Sequence, residues 1–157
     1  IGDGPGICRP GGPLFDRARL AVAAYALGLA EATRDMAVDY AKTRQQFGKP
    51  IGSFQAIKHL CAEMAIRAEA AYCQVTYASL VLAGQGEGGD FQSTAAKLVA
   101  VDAALQNAAK NIQVHGAIGF TAEADAHLFL KRAHLMDQLW GDTRRQRGYM
   151  LDARFPD

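Results

Sequence analysis

The sequence predicts an all-α fold, an antiparallel bundle of long helices, on three observations. Apolar residues recur at steps of three and four over several long stretches. Short clusters rich in glycine and proline separate those stretches. No segment alternates apolar and polar residues with period two for long enough to suggest a strand.

Residues 1 to 13 are dense in Gly and Pro and read as an irregular lead-in, with the bundle taking residues 14 to 157. A first helix is expected from just after Pro13 to Thr43, a run of alanine, leucine and charged residues without proline, with Leu20, Leu27, Met36 and Tyr40 near one face. Its alanines and Gly28 predict close approach of a neighbouring helix. Gly48, Pro50 and Gly52 then interrupt helical geometry, and Ser53 is placed to cap a second helix. In that helix Ile57, Leu60, Cys61, Met64, Ala68, Tyr72, Val75 and Leu82 form one apolar stripe, which the glycine-rich segment 84 to 89 ends. Asp90 or Ser93 can cap a third helix carrying Leu98, Val101, Leu105, Ala108 and Ile112 and ending at Gly116. Thr121, with Glu123 and Asp125 near the positive end of the dipole, predicts the start of a fourth helix carrying Leu128, Leu135, Met136 and Leu139. Gly141 breaks that pattern, and Asp142 or Thr143 can cap a short last helix ending near Phe155.

The composition excludes several classes of function. With 157 residues, half of them hydrophobic, the chain suits one compact domain. A formal charge of +1 with both signs spread along the chain offers no basic field for nucleic acid. The longest apolar stretch, Leu20 to Ala30, falls far short of the roughly 20 residues a bilayer span needs. Cys8, Cys61 and Cys73 are odd in number and widely spaced, which suits buried thiols in a reducing compartment, and the chain reads as cytoplasmic. The start, without Met, charged region or apolar region, reads as that of a fragment or processed chain.

Catalytic patterns are few. A di-iron bundle site needs two Glu-x-x-His pairs, and the sequence has none; His59, Cys61 and Glu63 point in different directions on a helix, so no metal site is expected. No G-x-S-x-G elbow is present, and Gly116-Ala-Ile-Gly119 follows a helix rather than a strand, against a dinucleotide fingerprint. Two loops remain: Arg44-Gln-Gln-Phe-Gly48 leading to Gln55, and Gln113-Val-His-Gly-Ala-Ile-Gly-Phe-Thr121. Arg44 offers a planar fork of donors suited to a pyrophosphate, Phe47 a face for a planar ring, and the glycines let backbone N–H groups approach a ligand. The same residues also read as helix C-caps at Gly48 and Gly116 and a cation at a negative helix end.

In this order and at this separation the two loops resemble those of the acyl-CoA dehydrogenases. Residues 40 to 63 look like that family's R-x-x-F-G-x-x-(I/L)-x-x-x-Q signature without a gap, and residues 113 to 121 are similar to its Q-x-x-G-G-x-G-(F/Y) loop, with Ala117 in place of the second Gly. The resemblance runs from about Leu14 to Phe155. It implies a C-terminal helical domain that follows a helical and a β-barrel domain, neither of them in this sequence, and that assembles into dimers and tetramers with FAD across the subunit interface. It further implies that Arg44, Gln46, Phe47 and Gln55 contact the diphosphate and adenosine part of a neighbour's FAD. Gln113, Val114, His115, Gly116 and Ala117 would line the same groove, and Thr143 would touch flavin.

The reaction implied is α,β-dehydrogenation of an acyl-CoA thioester, with a carboxylate as base. Most members carry a Glu in a Y-E-G-T loop, matched here by Trp140-Gly141-Asp142-Thr143; a second group carries it on the first long helix, where Ala18 stands before Arg19. Gly141 and Ala18 leave both base positions empty, so no catalytic residue is assigned. Asp142 and Asp16 are near enough to substitute only if the backbone differs. The resemblance therefore points to a C-terminal domain or partner subunit, in a homo- or hetero-oligomer with a dehydrogenase subunit, as in paired unlike subunits that accept bulky acyl chains such as steroid side chains. The rival expectation is a non-catalytic helical assembly or scaffold domain that has lost FAD.

Overall fold

A computed structural model describes residues 12–85 and 88–152. The lead-in up to residue 11, Cys8 with it, and the chain end near Phe155 lie outside these residues. The described chain is helical: α1 (Pro13–Thr43), α2 (Gln55–Leu80), α3 (Gly89–His115), α4 (Ala126–Gln138) and α5 (Thr143–Asp152). Pro13 stands in the first turn of α1, where its missing N–H removes no intrahelical bond and its fixed φ suits the helix.

Cross-helix bonds set the directions. Asp16 meets Ser93 near the starts of α1 and α3, and Tyr40 meets His115 at their ends, so these two helices run parallel. Gln74 late in α2 bonds Gln92 early in α3, and Lys97 early in α3 bonds Asp137 late in α4, so α2 and α4 run the other way. From α1 to α4, consecutive helices are therefore antiparallel, as the sequence predicts, and α3 packs against all the others. Asn107, fully buried in the middle of α3, donates from Nδ2 to Ala30 O of α1 at 3.1 Å and Met64 O of α2 at 3.0 Å, tying three helices at one level.

The core is built mainly of alanine: Ala23, Ala26, Ala30, Ala71, Ala100 and Ala104 are fully buried where α1, α2 and α3 meet. Side chains this small let helix axes approach closely and lose no rotamer entropy on burial. Gly28, expected to share in this approach, instead faces outward, and a Cβ there would meet nothing within 4 Å. A second, smaller core of Ala37, Ala41, Met64 and Val114 lies at the α3 C-terminal end, with Tyr40, Ile51, Ile57 and Leu60 against it.

Several local expectations shift. Ser53 does not cap α2; its hydroxyl donates to Pro50 O at 2.7 Å and Phe54 holds the cap position. Gly88, in left-handed geometry, precedes α3, while Asp90 lies inside the first turn and accepts the Phe91 N–H at 2.8 Å. α4 starts at Ala126 rather than at Thr121, whose hydroxyl turns back to Ile118 O at 2.9 Å. Two strands of two residues each, Gln45–Gln46 and Lys49–Pro50, are too short to show a period in sequence. The large apolar residues of the stripes are also more exposed than expected, Tyr72 on α2 and Leu135 on α4 among them, because both helices turn alanine faces inward. The thiols follow suit: Cys73 is exposed and Cys61 half-buried, its pKa raised by what burial there is.

Candidate functional site

The link from α1 to α2 opens as a tiny hairpin in which Gln45 pairs with Pro50 and Gln46 with Lys49. Both turn residues are left-handed, Phe47 at φ +54° and Gly48 at φ +77°. That pattern matches the twist of the flanking strands and suits glycine. For Phe47 it costs about 1–2 kcal/mol, because Cβ crowds the following carbonyl. The outcome is a phenyl ring 91% exposed to water, held edge-to-face by Phe54 at 6.1 Å between centroids. Among the described residues the neighbouring Arg44 guanidinium has no ion-pair partner.

The end of α3 faces this hairpin. His115 stacks on Tyr40 with centroids 4.1 Å apart, and its Nδ1 lies 2.9 Å from Asn111 O, which keeps the ring over the last helical turn. Gly116 ends α3 at φ +65°. Gly119 lets the chain fold back, since a Cβ there would sit 2.9 Å from Ile112 O.

Between these elements lies an open groove of about 310 Å³, and six residues singled out in the sequence line it: Arg44, Gln46, Phe47, Val114, His115 and Gly116. Tyr40, Ile51, Phe54 and Ile57 complete its apolar wall. Sequence reading assigned them no ligand role, although Tyr40 stands one turn before Arg44, where a helix face would bring it to the same end. Gln55, Gln113 and Ala117 are exposed beside the groove without lining it.

Thr143 is elsewhere. It packs near Lys97, and Lys97 to His115 along α3 spans about 27 Å at 1.5 Å per residue. One chain therefore does not bring Thr143 into the groove. What the fold does gather at that opposite end are the two expected base positions, for Phe15 of α1 meets Trp140 edge-to-face at 5.5 Å. The turn after α4 has Trp140 at φ +58° and Gly141 at φ +100°. Lys97 Nζ donates to Asp137 O at 3.1 Å and to Gly141 O. Gln146 Nε2 donates to Trp140 O at 2.7 Å and Gly141 O at 3.2 Å. Asp137 Oδ1 accepts both the N–H and the hydroxyl of Thr143, at 3.0 and 2.6 Å.

Neither nearby carboxylate is free. Asp142 caps α5, accepting the Arg145 N–H at 2.8 Å. Asp16 accepts from Arg19 Nη1 at 3.2 Å and Ser93 Oγ at 3.4 Å. Burial and the nearby Asp90 raise the Asp16 pKa against the opposing pull of Arg19 and Ser93. Lys97 is 1% exposed. Burial pushes its pKa down to about 8, with Arg19 adding to the shift and Asp137 and Asp142 opposing it. Among the described residues no group of three His, Cys, Asp or Glu side chains could hold a metal ion.

Two expected results follow. Gly141→Ala costs about 1–2 kcal/mol, since φ there is left-handed and the new Cβ would meet Gln146 Nε2 at 2.9 Å; urea unfolding of the two proteins measures it. The second concerns pH. Between about pH 8 and the ordinary lysine value of 10.5, the unfolded chain binds the Lys97 proton and the folded chain does not. Stability therefore rises with pH through that window. The gap between wild type and Lys97→Met, which cancels every other group, should widen in favour of wild type from pH 8 to 10.

Comparison with known proteins places this geometry. The family profile described as "Acyl-CoA dehydrogenase, C-terminal domain" matches residues 12–153. Acyl-CoA dehydrogenase FadE34 of Mycobacterium tuberculosis is 50% identical over 133 residues, 83% of this chain and 18% of that protein. Butyryl-CoA dehydrogenase from Megasphaera elsdenii superposes with TM-score 0.83 at 33% identity, over 88% of this chain and 36% of that one. The Tcur3481–Tcur3483 steroid ACAD does so with TM-score 0.83 at 27% identity, over 90% of this chain and 39% of that one. The chain thus spans well under half the length of these proteins. Profile, relatives and fold agree that the chain belongs to the acyl-CoA dehydrogenase family, which in general carries out FAD-dependent dehydrogenation of acyl-CoA, and corresponds to its C-terminal helical domain.

Proposed function

We propose that the chain is the flavin-contacting C-terminal domain of an FAD-dependent acyl-CoA dehydrogenase, either within a longer chain or as the partner subunit of an oligomer, and that it does not itself supply the catalytic base. The observation that carries this reading is the groove. A solvent-facing guanidinium, a strained and exposed phenyl ring and a glycine-capped helix end converge there from segments far apart in sequence.

The residues present suit one part of FAD. Arg44 presents a fork of donors to a diphosphate, Gln46 and the nearby Gln55 supply amide hydrogen bonds, and the Phe47 ring covers a purine face. The Val114 to Ala117 segment offers backbone groups at a helix end, and Gln113 stands beside it. A groove of about 310 Å³ holds a fraction of so large a cofactor, and the Thr143 turn lies at the other end of the helix. A site shared between neighbouring chains accounts for both. When bound, FAD supplies the hydride acceptor for α,β-dehydrogenation of the acyl-CoA thioester.

At the expected base positions, Gly141 has no side chain and the Ala18 methyl cannot take a proton, and Asp142 and Asp16 are held in structural bonds. The α proton must then be accepted by a carboxylate outside these positions, as in an assembly with a Glu-bearing dehydrogenase chain. A bulky acyl group, such as a steroid side chain, is the substrate class that goes with this reading. The likeness to a steroid ACAD supports that substrate class and a heteromer. Three cysteines without a pairing pattern support a cytoplasmic site of action. No helix among the described residues is long and apolar enough to cross a membrane.

The test is purification of the native assembly, its absorption spectrum, and the intact mass of every chain. A flavin spectrum with a second, Glu-bearing chain is the expected result. A colourless preparation of this chain alone would replace the reading with that of a helical scaffold domain that has lost FAD.

A further inference from the structure

The turn from Leu139 to Thr143 is an unfavourable backbone held by an unusual set of buried donors. Two consecutive residues, one of them a tryptophan, sit at positive φ. For Trp140 this conformation costs about 1–2 kcal/mol, so something outside the turn must hold it there. Two side chains do. Lys97 is a lone cation in the alanine-rich face of α3, yet its ammonium reaches across to the carbonyls of Asp137 and Gly141. Gln146, fully buried on α5, donates one amide group to the carbonyls of Trp140 and Gly141, while its own Oε1 is buried without a hydrogen-bond partner. Both cost free energy to bury, and neither lies in the flavin groove. A helix end is commonly closed by a left-handed glycine and one or two backbone bonds; this one is strapped from α3 and from α5 as well.

The strap reaches Thr143 through Asp137. Lys97 binds the main-chain carbonyl of Asp137, whose carboxylate takes both the N–H and the hydroxyl of Thr143. Lys97, Asp137 and Thr143 thus form one connected chain of bonds ending at a hydroxyl. The charged groups facing Lys97 are Arg19 from α1, Asp137 from α4 and Asp142 at the start of α5. The two carboxylates offset only part of the cost of burying the ammonium, to which Arg19 adds.

We propose that Lys97 and Gln146 are positioning residues for the dehydrogenase reaction, clamping the 139–143 turn so that the Thr143 hydroxyl is presented in one shape to the flavin side of the site. The proposal rests on the flavin reading above for what the turn faces, but the clamp itself stands on the bonds within the chain.

The experiment is hydrogen exchange of the native assembly, read by mass spectrometry peptide by peptide, for wild type, Lys97→Met and Gln146→Met, with flavin content and the visible spectrum recorded on the same samples. Each substitution keeps apolar volume and removes the donors. The expected result is roughly tenfold or faster exchange confined to peptides covering 137–146, protection of α1 and α2 unchanged, and a shifted flavin band at unchanged or modestly reduced occupancy. Unchanged exchange in that segment in both variants overturns the clamp. Faster exchange throughout the chain in both variants overturns it too, since the residues would then be general packing groups. Local loosening with an unaltered flavin spectrum overturns their role toward the cofactor. If wild type carries no flavin, it is the flavin reading that fails, and the exchange data still decide the clamp.

Discussion

Replacing Arg44 by alanine is expected to weaken flavin retention by the assembly roughly tenfold to a hundredfold. That is the range that follows from losing a charge-assisted hydrogen bond of about 1.5–3 kcal/mol. Arg44 is suited to this role because no acid among the described residues neutralises it. Its main chain is tied at both ends, the N–H to Tyr40 O at 2.9 Å and the carbonyl to the Ile51 N–H at 2.8 Å. The side chain therefore starts from a fixed point at the mouth of the groove. Equilibrium dialysis followed by absorbance of the bound flavin measures the change. Arg44→Lys, which keeps the charge but not the planar fork, should fall between the two. Equal retention in all three proteins would remove Arg44 from the site. The fold should not suffer, because the side chain is exposed.

The largest effect on stability is expected at Met64. It is fully buried in the small core beneath the groove, against Ala37, Ala41 and Val114. The buried Ala37 and Ala41 beside it are too short to swing into the space, so truncation to alanine should cost about 2–5 kcal/mol. Urea unfolding of wild type and Met64→Ala provides the comparison. A loss below about 1 kcal/mol would mean that the helices close over the cavity. Because Val114 belongs both to this core and to the groove wall, Met64→Ala is also expected to lower flavin retention, without removing any group that touches the ligand. Arg44→Ala should show the reverse pattern, flavin lost and stability kept.

Much of the candidate groove was legible as spacing. Arg44 and Phe47 stand out because a cation and an aromatic interrupt a helix beside glycines. Gly116 stands out because it ends a long periodic stretch. Their meeting was not legible, since 69 positions separate Phe47 from Gly116 and only the parallel course of α1 and α3 brings the two helix ends together. The clamp was less visible still. Lys97 interrupts an alanine-rich stretch, a weak signal that a charge might be buried, but its partners are main-chain carbonyls that carry no side-chain signature. The misplaced caps have a local cause: Ser53, Ser93 and Thr121 all turn their hydroxyls to carbonyls three residues back, a competing bond open to any Ser or Thr near a turn.

The helical class, the order and approximate lengths of the helices, the breaks between them and the lack of a carboxylate at positions 18 and 141 can all be read from residues in a row, because periodicity, glycine, proline and residue identity are local properties. Tertiary structure alone decided which faces are buried, why alanine rather than leucine makes the core, that Gly28 is not a contact, and that Thr143 and Arg44 belong to opposite ends of one helix. These depend on which helices lie side by side at what distance, and that distance is set by the summed packing of all the helices at once.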